Sequence, residues 1–233
     1  PNPVADGFYT GAAAGHGNYY AWSWGDALFV VLDPFTYSAD RIRSADENWS
    51  RTLGEAQYRW LQQVLSESTA PLKLVFIHNL VGGLDRNGRG GAEAAPFFEW
   101  GGRGLDGSEQ FAGRRPGWEL PIHRLLAKHG VSIVFHGHDH LYARQELDGI
   151  TYQAVPQPGW VGGRNVAQAA EYGYVSGDIL PSSGHLRVAV APDGATIDYV
   201  YAALPGAGGG AAPNASVVRS HSVPAGPRNP AGQ

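Results

Sequence analysis

Two apolar runs constrain this chain most, because each ends in histidine. Leu72-Lys73-Leu74-Val75-Phe76-Ile77 runs into His78, and Val131-Ser132-Ile133-Val134-Phe135 runs into His136-Gly137-His138-Asp139-His140. Runs of this length with β-branched and aromatic residues read as strands, and their near-continuous apolar character predicts burial on both faces. A helical pattern precedes each. Tyr58, Leu61, Val64 and Leu65 share one helical face, predicting a helix over about 53–66. A second pattern runs from Trp118 to Lys128 and stops at Gly130. Thr52 and Glu55 have the spacing of a capping box. Strand–helix alternation of this kind predicts a layered α/β fold.

The flanks read as β. Tyr19–Trp24 and Ala27–Leu32, joined by Gly25-Asp26, predict a hairpin. Ile150–Val155 is a further strand. His185–Ala191 and Ala195–Tyr201, joined by Pro192-Asp193-Gly194, predict a second hairpin. Between the two histidine-ended strands, residues 81–117 hold eleven glycines, five arginines and five acids. A long loop of that composition is a candidate for function. It is expected to overhang the histidines, with Phe97, Trp100 and the arginines selecting substrate. Residues 1–203 read as one domain. Residues 204–233, rich in Gly, Ala and Pro, read as linker or tail.

Composition closes several alternatives. The 233 residues include no Cys, which excludes a disulfide scaffold, a Cys-ligated zinc site and a Cys nucleophile. The formal net charge of −4 lacks the basic excess of a nucleic-acid-binding domain. No apolar run is long enough to predict a membrane-spanning helix. The chain begins at Pro and contains no Met. It is therefore expected to be a fragment or a processed product.

The chemistry concentrates in His138 and His140. Histidines at i and i+2 of an extended segment project to one side, and neutral imidazole is a preferred ligand for zinc, iron and copper. In an open α/β sheet, parallel strand ends collect on one edge, so His78 is expected to meet them. His136, as an alternating neighbour, is expected to point with them. Asp139 is expected to orient one of them. Arg144 reads as structural or as a substrate contact, with the structural role favoured.

The segment from Phe135 to Arg144, Phe-His-Gly-His-Asp-His-Leu-Tyr-Ala-Arg, resembles the last signature of the calcineurin-like metallophosphoesterases. Gly-His-x-His followed by x-Tyr-x-Arg is especially similar to the purple-acid-phosphatase branch. Tyr19–Asp33, Thr52–Leu65 and Leu186–Tyr201 resemble further elements of that branch. The resemblance implies a four-layer α/β/β/α sandwich, incomplete at the N-terminal side. It implies hydrolysis of phosphoric esters on two metal ions (Fe, Zn, Mn or similar), with small phosphorylated substrates and a secreted or periplasmic location. Carried over by position, His78 and His138 would bind one metal and His140 the other. Asn79 stands where the family has a group that supports a metal ligand or faces substrate. The family's earlier signatures, Asp-x-His, Gly-Asp-x-x-Asp and Gly-Asn-His, are absent. Gly25-Asp26 fails because Phe29 stands three residues on. The chain is thus expected to carry the histidine ligands alone. Two other readings remain: a non-catalytic remnant or binding module, and a mononuclear three-histidine metal protein.

Overall fold

The computed structural model describes residues 8–10, 18–39, 41–159, 168–181, 183–202 and 212–226. An eight-stranded mixed sheet carries most of the chain. Its strands are β1 (Phe8–Thr10), β2 (Tyr20–Trp24), β3 (Ala27–Val31), β4 (Leu72–Ile77), β5 (Ile133–His136), β6 (Tyr142–Leu147), β7 (Ile150–Ala154) and β8 (Asp178–Leu180). The spatial order is β1-β2-β3-β4-β5-β7-β6-β8. The four central strands, β3, β4, β5 and β7, are parallel, and the edges are antiparallel. Two of the expected buried strands are therefore neighbours, β4 and β5, with Ile77 opposite His136. In the β2–β3 hairpin Gly25 takes φ 58°. A two-residue hairpin turn calls for glycine at that position.

One face of this sheet carries the helices, α1 (Gly54–Glu67), α2 (Phe98–Gly101), α3 (Phe111–Arg114) and α4 (Ile122–Lys128). Tyr58, Leu61 and Leu65 of α1 and Ile122, Leu125 and Leu126 of α4 pack with Val30, Val75 and Val134 of the sheet. The other face takes a three-stranded antiparallel sheet of β9 (Gly184–Ala191), β10 (Gly194–Tyr201) and β11 (Val217–Pro224), ordered β11-β10-β9. Ala195, Ile197 and Val223 meet Leu72, Leu74, Ile133 and Phe135 across that interface. The alternation of the central strands thus fills two cores, as double-sided burial requires. Three layers stand among the described residues; the second helical layer of a four-layer sandwich is not among them. No described helix is long and apolar enough to cross a membrane.

Four expectations are corrected. Thr52 and Glu55 do not form a capping box. The Thr52 hydroxyl accepts the Gly54 N–H, and the carboxylate of Glu99, far away in sequence, accepts the Leu53 N–H at 2.7 Å. The second helix starts at Ile122, after Pro121, and not at Trp118. The 81–117 segment is core as much as loop: Phe98 and Trp100 are buried, and the Trp100 indole N–H donates to Tyr152 Oη at 3.0 Å. Val217–Pro224, within the expected tail, pairs with β10 along its length. Of that tail, 204–211 and 227–233 lie outside the described residues, as does His16.

That strand carries a pH-sensitive group. His221 lies opposite Ile197, and neither ring nitrogen has a hydrogen-bond partner. Burial, followed by Arg144, pushes its pKa down to about 4, against the pull of Glu146, Asp178 and Asp198. Its folded pKa lies below the ordinary 6.5. The unfolded chain therefore takes up the proton first as pH falls, and this contribution is complete above about 6.5 and lost on the way to about 4. His221→Phe is expected to flatten the fall of melting temperature across that window and to change nothing above it. Thermal melts from pH 7.5 to 4 check this, and parallel curves for the two proteins would refute it.

Candidate functional site

Parallel pairing brings the carboxyl ends of β3, β4 and β5 to one edge. Asp33 follows β3, His78 follows β4, and Gly137 and His138 follow β5. Gly137 N–H donates to the His78 carbonyl at 2.9 Å, which ties the two histidine-bearing ends together. A crevice of ≈ 530 Å³ opens there, lined by Asn18, Asp33, Phe35, Thr36 and His78 among others.

His78 Nε2 lies 3.1 Å from His138 Nδ1. The His138 Nε2 is 2.9 Å from the Asn87 carbonyl, to which it donates its proton. Its other ring nitrogen, Nδ1, faces His78. Burial, then the neighbouring charges of His138 and His140, push the His78 pKa down from 6.5. His78 is accordingly neutral at pH 7, the form that ligates metals.

The turn after β5 is not extended. His138 has φ 73° and His140 φ 59°. Both occupy the left-handed region, which costs a non-glycine residue on the order of 1 kcal/mol. The i, i+2 geometry expected of an extended segment is therefore replaced by two left-handed residues that turn the chain sharply. The strain gives a clean expectation. His138→Gly and His138→Ala lose the same side chain, so they differ in backbone conformation alone. The Gly variant is expected to be more stable than the Ala variant by about 1 kcal/mol, the reverse of the usual order. Urea unfolding measures it; an Ala variant equal to or above the Gly variant would exclude strain here.

The remaining sequence candidates have other surroundings. His136 is buried, not on the crevice surface. Its ring stacks on Tyr174 at 6.4 Å, its Nε2 has no hydrogen-bond partner, and burial pushes its pKa down to about 4. Among the described residues, Asp139 hydrogen-bonds to no histidine. Its Oδ2 accepts the Gly90 N–H at 3.1 Å and the Tyr174 hydroxyl at 2.7 Å, and burial raises its pKa. By holding Gly90 it fixes the loop whose Asn87 carbonyl holds His138, so its effect on that histidine is indirect. Asn79 is buried against Gly88 and is not among the residues that line the crevice. Arg144 pairs with Glu146 on β6 and stands beside His221, consistent with a structural role. Trp100, expected to touch substrate, is wholly buried.

Asp33 is the carboxylate that sequence reasoning passed over. It lines the same crevice as His78. Its oxygens are committed to protein donors: the Phe35 and Thr36 amides, the Thr36 hydroxyl and Asn18 Nδ2. Burial would raise its pKa, but these bonds together hold it below the usual value.

The histidine pair can be tested as a metal site. Ligand nitrogens about 2.0–2.1 Å from one ion stand about 2.8–3.4 Å apart at right-angle to tetrahedral placement, and 3.1 Å falls in that range. Two imidazoles nevertheless leave the shell open and supply no bridging carboxylate. Among the described residues, no three His, Asp or Glu side chains form a group able to hold a metal. These residues alone do not fit a binuclear centre.

Comparison with known proteins agrees on the fold. No family model and no curated protein matches the chain. A solved structure titled as PhoD matches with TM-score 0.52 and 19% identity, over 79% of this chain and 38% of that one. GAP50, described as the anchor in the inner membrane complex of Plasmodium, matches with TM-score 0.50 and 11% identity, over 89% and 53%. Purple acid phosphatase PPD1 from yellow lupin (Lupinus luteus) seeds gives 0.43 and 13%, over 88% and 32%. The fold is similar to that of the PhoD and GAP50 structures. The chain spans about half or less of the length of each of these structures.

Proposed function

We propose that the intact protein hydrolyses phosphoric esters with the help of metal ions, and that this chain supplies its histidine ligands. The observation that carries the reading is the His78–His138 pair. Two imidazoles from adjacent parallel strand ends stand 3.1 Å apart, one of them on a left-handed backbone. Strain at a strand end is commonly kept where function needs the geometry. The phosphoesterase-like fold supports the same class of reaction. In this reading His78 and His138 share one ion and His140 belongs to a second. The carboxylates that close a binuclear centre come from residues beyond those described. A further helical layer over the outer face of β9 and β10 completes a four-layer sandwich. The substrate is a small phosphorylated compound, and the protein acts outside the cytoplasm.

A second reading has its own support. The described residues lack a three-ligand group, and one structural neighbour, GAP50, is described as an anchor. A non-catalytic module would keep the fold and the histidines without turnover. The deciding experiment expresses the protein together with any coding sequence upstream of Pro1 and measures bound metal and aryl phosphate hydrolysis. Two ions per chain and turnover that His138→Ala abolishes support the enzyme. One ion per chain indicates the mononuclear site. A metal-free protein with no turnover indicates the module.

A further inference from the structure

Beside the histidine pair lies a second cavity, of ≈ 630 Å³, with an unusual lining. Arg41, Arg43, Arg51 and Arg86 face it, together with Asn87 and His138. The four arginines come from two segments, 41–51 before α1 and the 85–90 loop after β4. Among the described residues, no carboxylate forms an ion pair with any of the four. Asp85 attracts Arg51 without forming an ion pair with it, and its oxygens face other partners. Asp85 Oδ1 accepts the Asn87 and Arg89 amides, and its Oδ2 faces Arg89 at 3.7 Å. Glu47 accepts the backbone N–H of Arg43 at 3.0 Å.

Arg51 is the fixed member. Its Nη2 donates to the Arg86 carbonyl at 2.6 Å, and its buried Nε has no partner. Gly88, at φ 78°, lets the loop come close: a Cβ there would stand 3.1 Å from Arg51 Cζ. Arg41, Arg43 and Arg86 are exposed around it. Four like charges around one cavity repel each other, and an anion of matching valence relieves that repulsion. Guanidinium groups meet carboxylate and phosphate oxygens alike two at a time, but a phosphate has the extra oxygens and charge to engage several of them at once.

We propose that Arg41, Arg43, Arg51 and Arg86 form a binding site for a phosphate group distinct from the one held at the histidines. An anion there lies next to His138, so the substrate class it selects is an ester that carries a second phosphate. As a substrate subsite it rests on the phosphoester reading; as an anion site it stands alone.

The test separates the two, because it reads binding and not hydrolysis. Pyrophosphate, orthophosphate and sulfate are titrated calorimetrically into the protein and into Arg41→Gln/Arg43→Gln. Both substitutions are at exposed positions, and circular dichroism confirms the fold. Pyrophosphate is expected to bind saturably, more weakly as salt rises, and at least about tenfold more weakly in the double variant. Arg41→Lys/Arg43→Lys is expected to recover part of the loss, since charge returns without the bidentate fork. Absence of saturable pyrophosphate binding would overturn the site, as would undiminished binding by the double variant. An equal response to sulfate would mark an adventitious basic surface and overturn it too. Loss of hydrolysis in the extended protein with pyrophosphate binding intact would count against the phosphoester reading alone.

Discussion

Arg115→Ala is expected to lower the unfolding free energy by about 3–5 kcal/mol, the cost of stranding a buried charge. Glu99 is wholly buried, and Arg115 Nε donates to its Oε2 at 2.5 Å. The other Glu99 oxygen takes the Leu53 N–H at the start of α1. Arg115 Nη2 donates to the Trp49 carbonyl at 2.6 Å, and the guanidinium packs near the Trp49 and Trp118 rings. Burial drives the Glu99 pKa up even with Arg115 beside it. Without Arg115, the carboxylate either stays charged in an apolar surround or takes a proton and weakens the cap. Glu99→Leu/Arg115→Leu is expected to recover much of the loss, because no lone charge remains. Urea unfolding of the two single variants and the double variant measures the coupling. A loss under about 1 kcal/mol for Arg115→Ala would show that the pair is solvated, as surface pairs are.

That pair also shows what the sequence conceals. The central strands were legible because burial on both faces leaves a continuous apolar run, as in Leu72–Ile77. Both hairpins were legible from the turn residues Gly25-Asp26 and Pro192-Asp193-Gly194. The start of α1 was misread because its cap is supplied by Glu99, 46 residues away, and not by the local Thr52–Glu55 spacing. The 81–117 segment reads as a loop over the histidines because of its many glycines and its mixed charges, arginines with acids. One of those arginines and one of those acids form the buried Glu99–Arg115 pair, under which Phe98 and Trp100 join the core. Strand β11 was hidden in a Gly/Ala/Pro-rich stretch, although the Val217-Val218 start and Val223 are β-formers that could have flagged it.

The candidate site divides the same way. Residue type and strand-end position brought His78 and His138 together on paper, and the structure places their ring nitrogens 3.1 Å apart. The left-handed backbone of His138 and His140 left no trace in spacing, since nothing but the turn after β5 imposes it. The arginine cavity was unreadable for a different reason. Arg51 and Arg86 meet 35 residues apart through a backbone carbonyl, and only the parallel placement of β3 beside β4 brings their segments together.

The largest effect is expected in catalysis. Residues 1–233 alone should turn over an aryl phosphate at the background rate with added zinc, manganese or iron. The protein extended upstream of Pro1 should hydrolyse it, and His138→Ala in that protein should lower kcat by several orders of magnitude. Each group that stabilises developing charge is worth about 10²–10³ in rate, and a site lacking most of its ligands loses several at once. Within the described residues the ligand set is two imidazoles, and Asp33 is already saturated by four protein donors. His138 holds two positions together, since its Nε2 grips the Asn87 carbonyl while its Nδ1 faces His78. Its loss therefore removes one tie on the 85–90 loop as well as a ligand. Metal affinity should also fall on acidification, because a protonated imidazole cannot ligate. The depressed pKa of His78 carries its share of that binding below pH 6.5 before it is lost. Metal analysis, a pH profile and a chelator control measure these effects. Robust metal-dependent turnover by residues 1–233 would overturn the assignment, and Asp33→Asn would then be the first variant to make, since Asp33 is the carboxylate that already lines the histidine crevice.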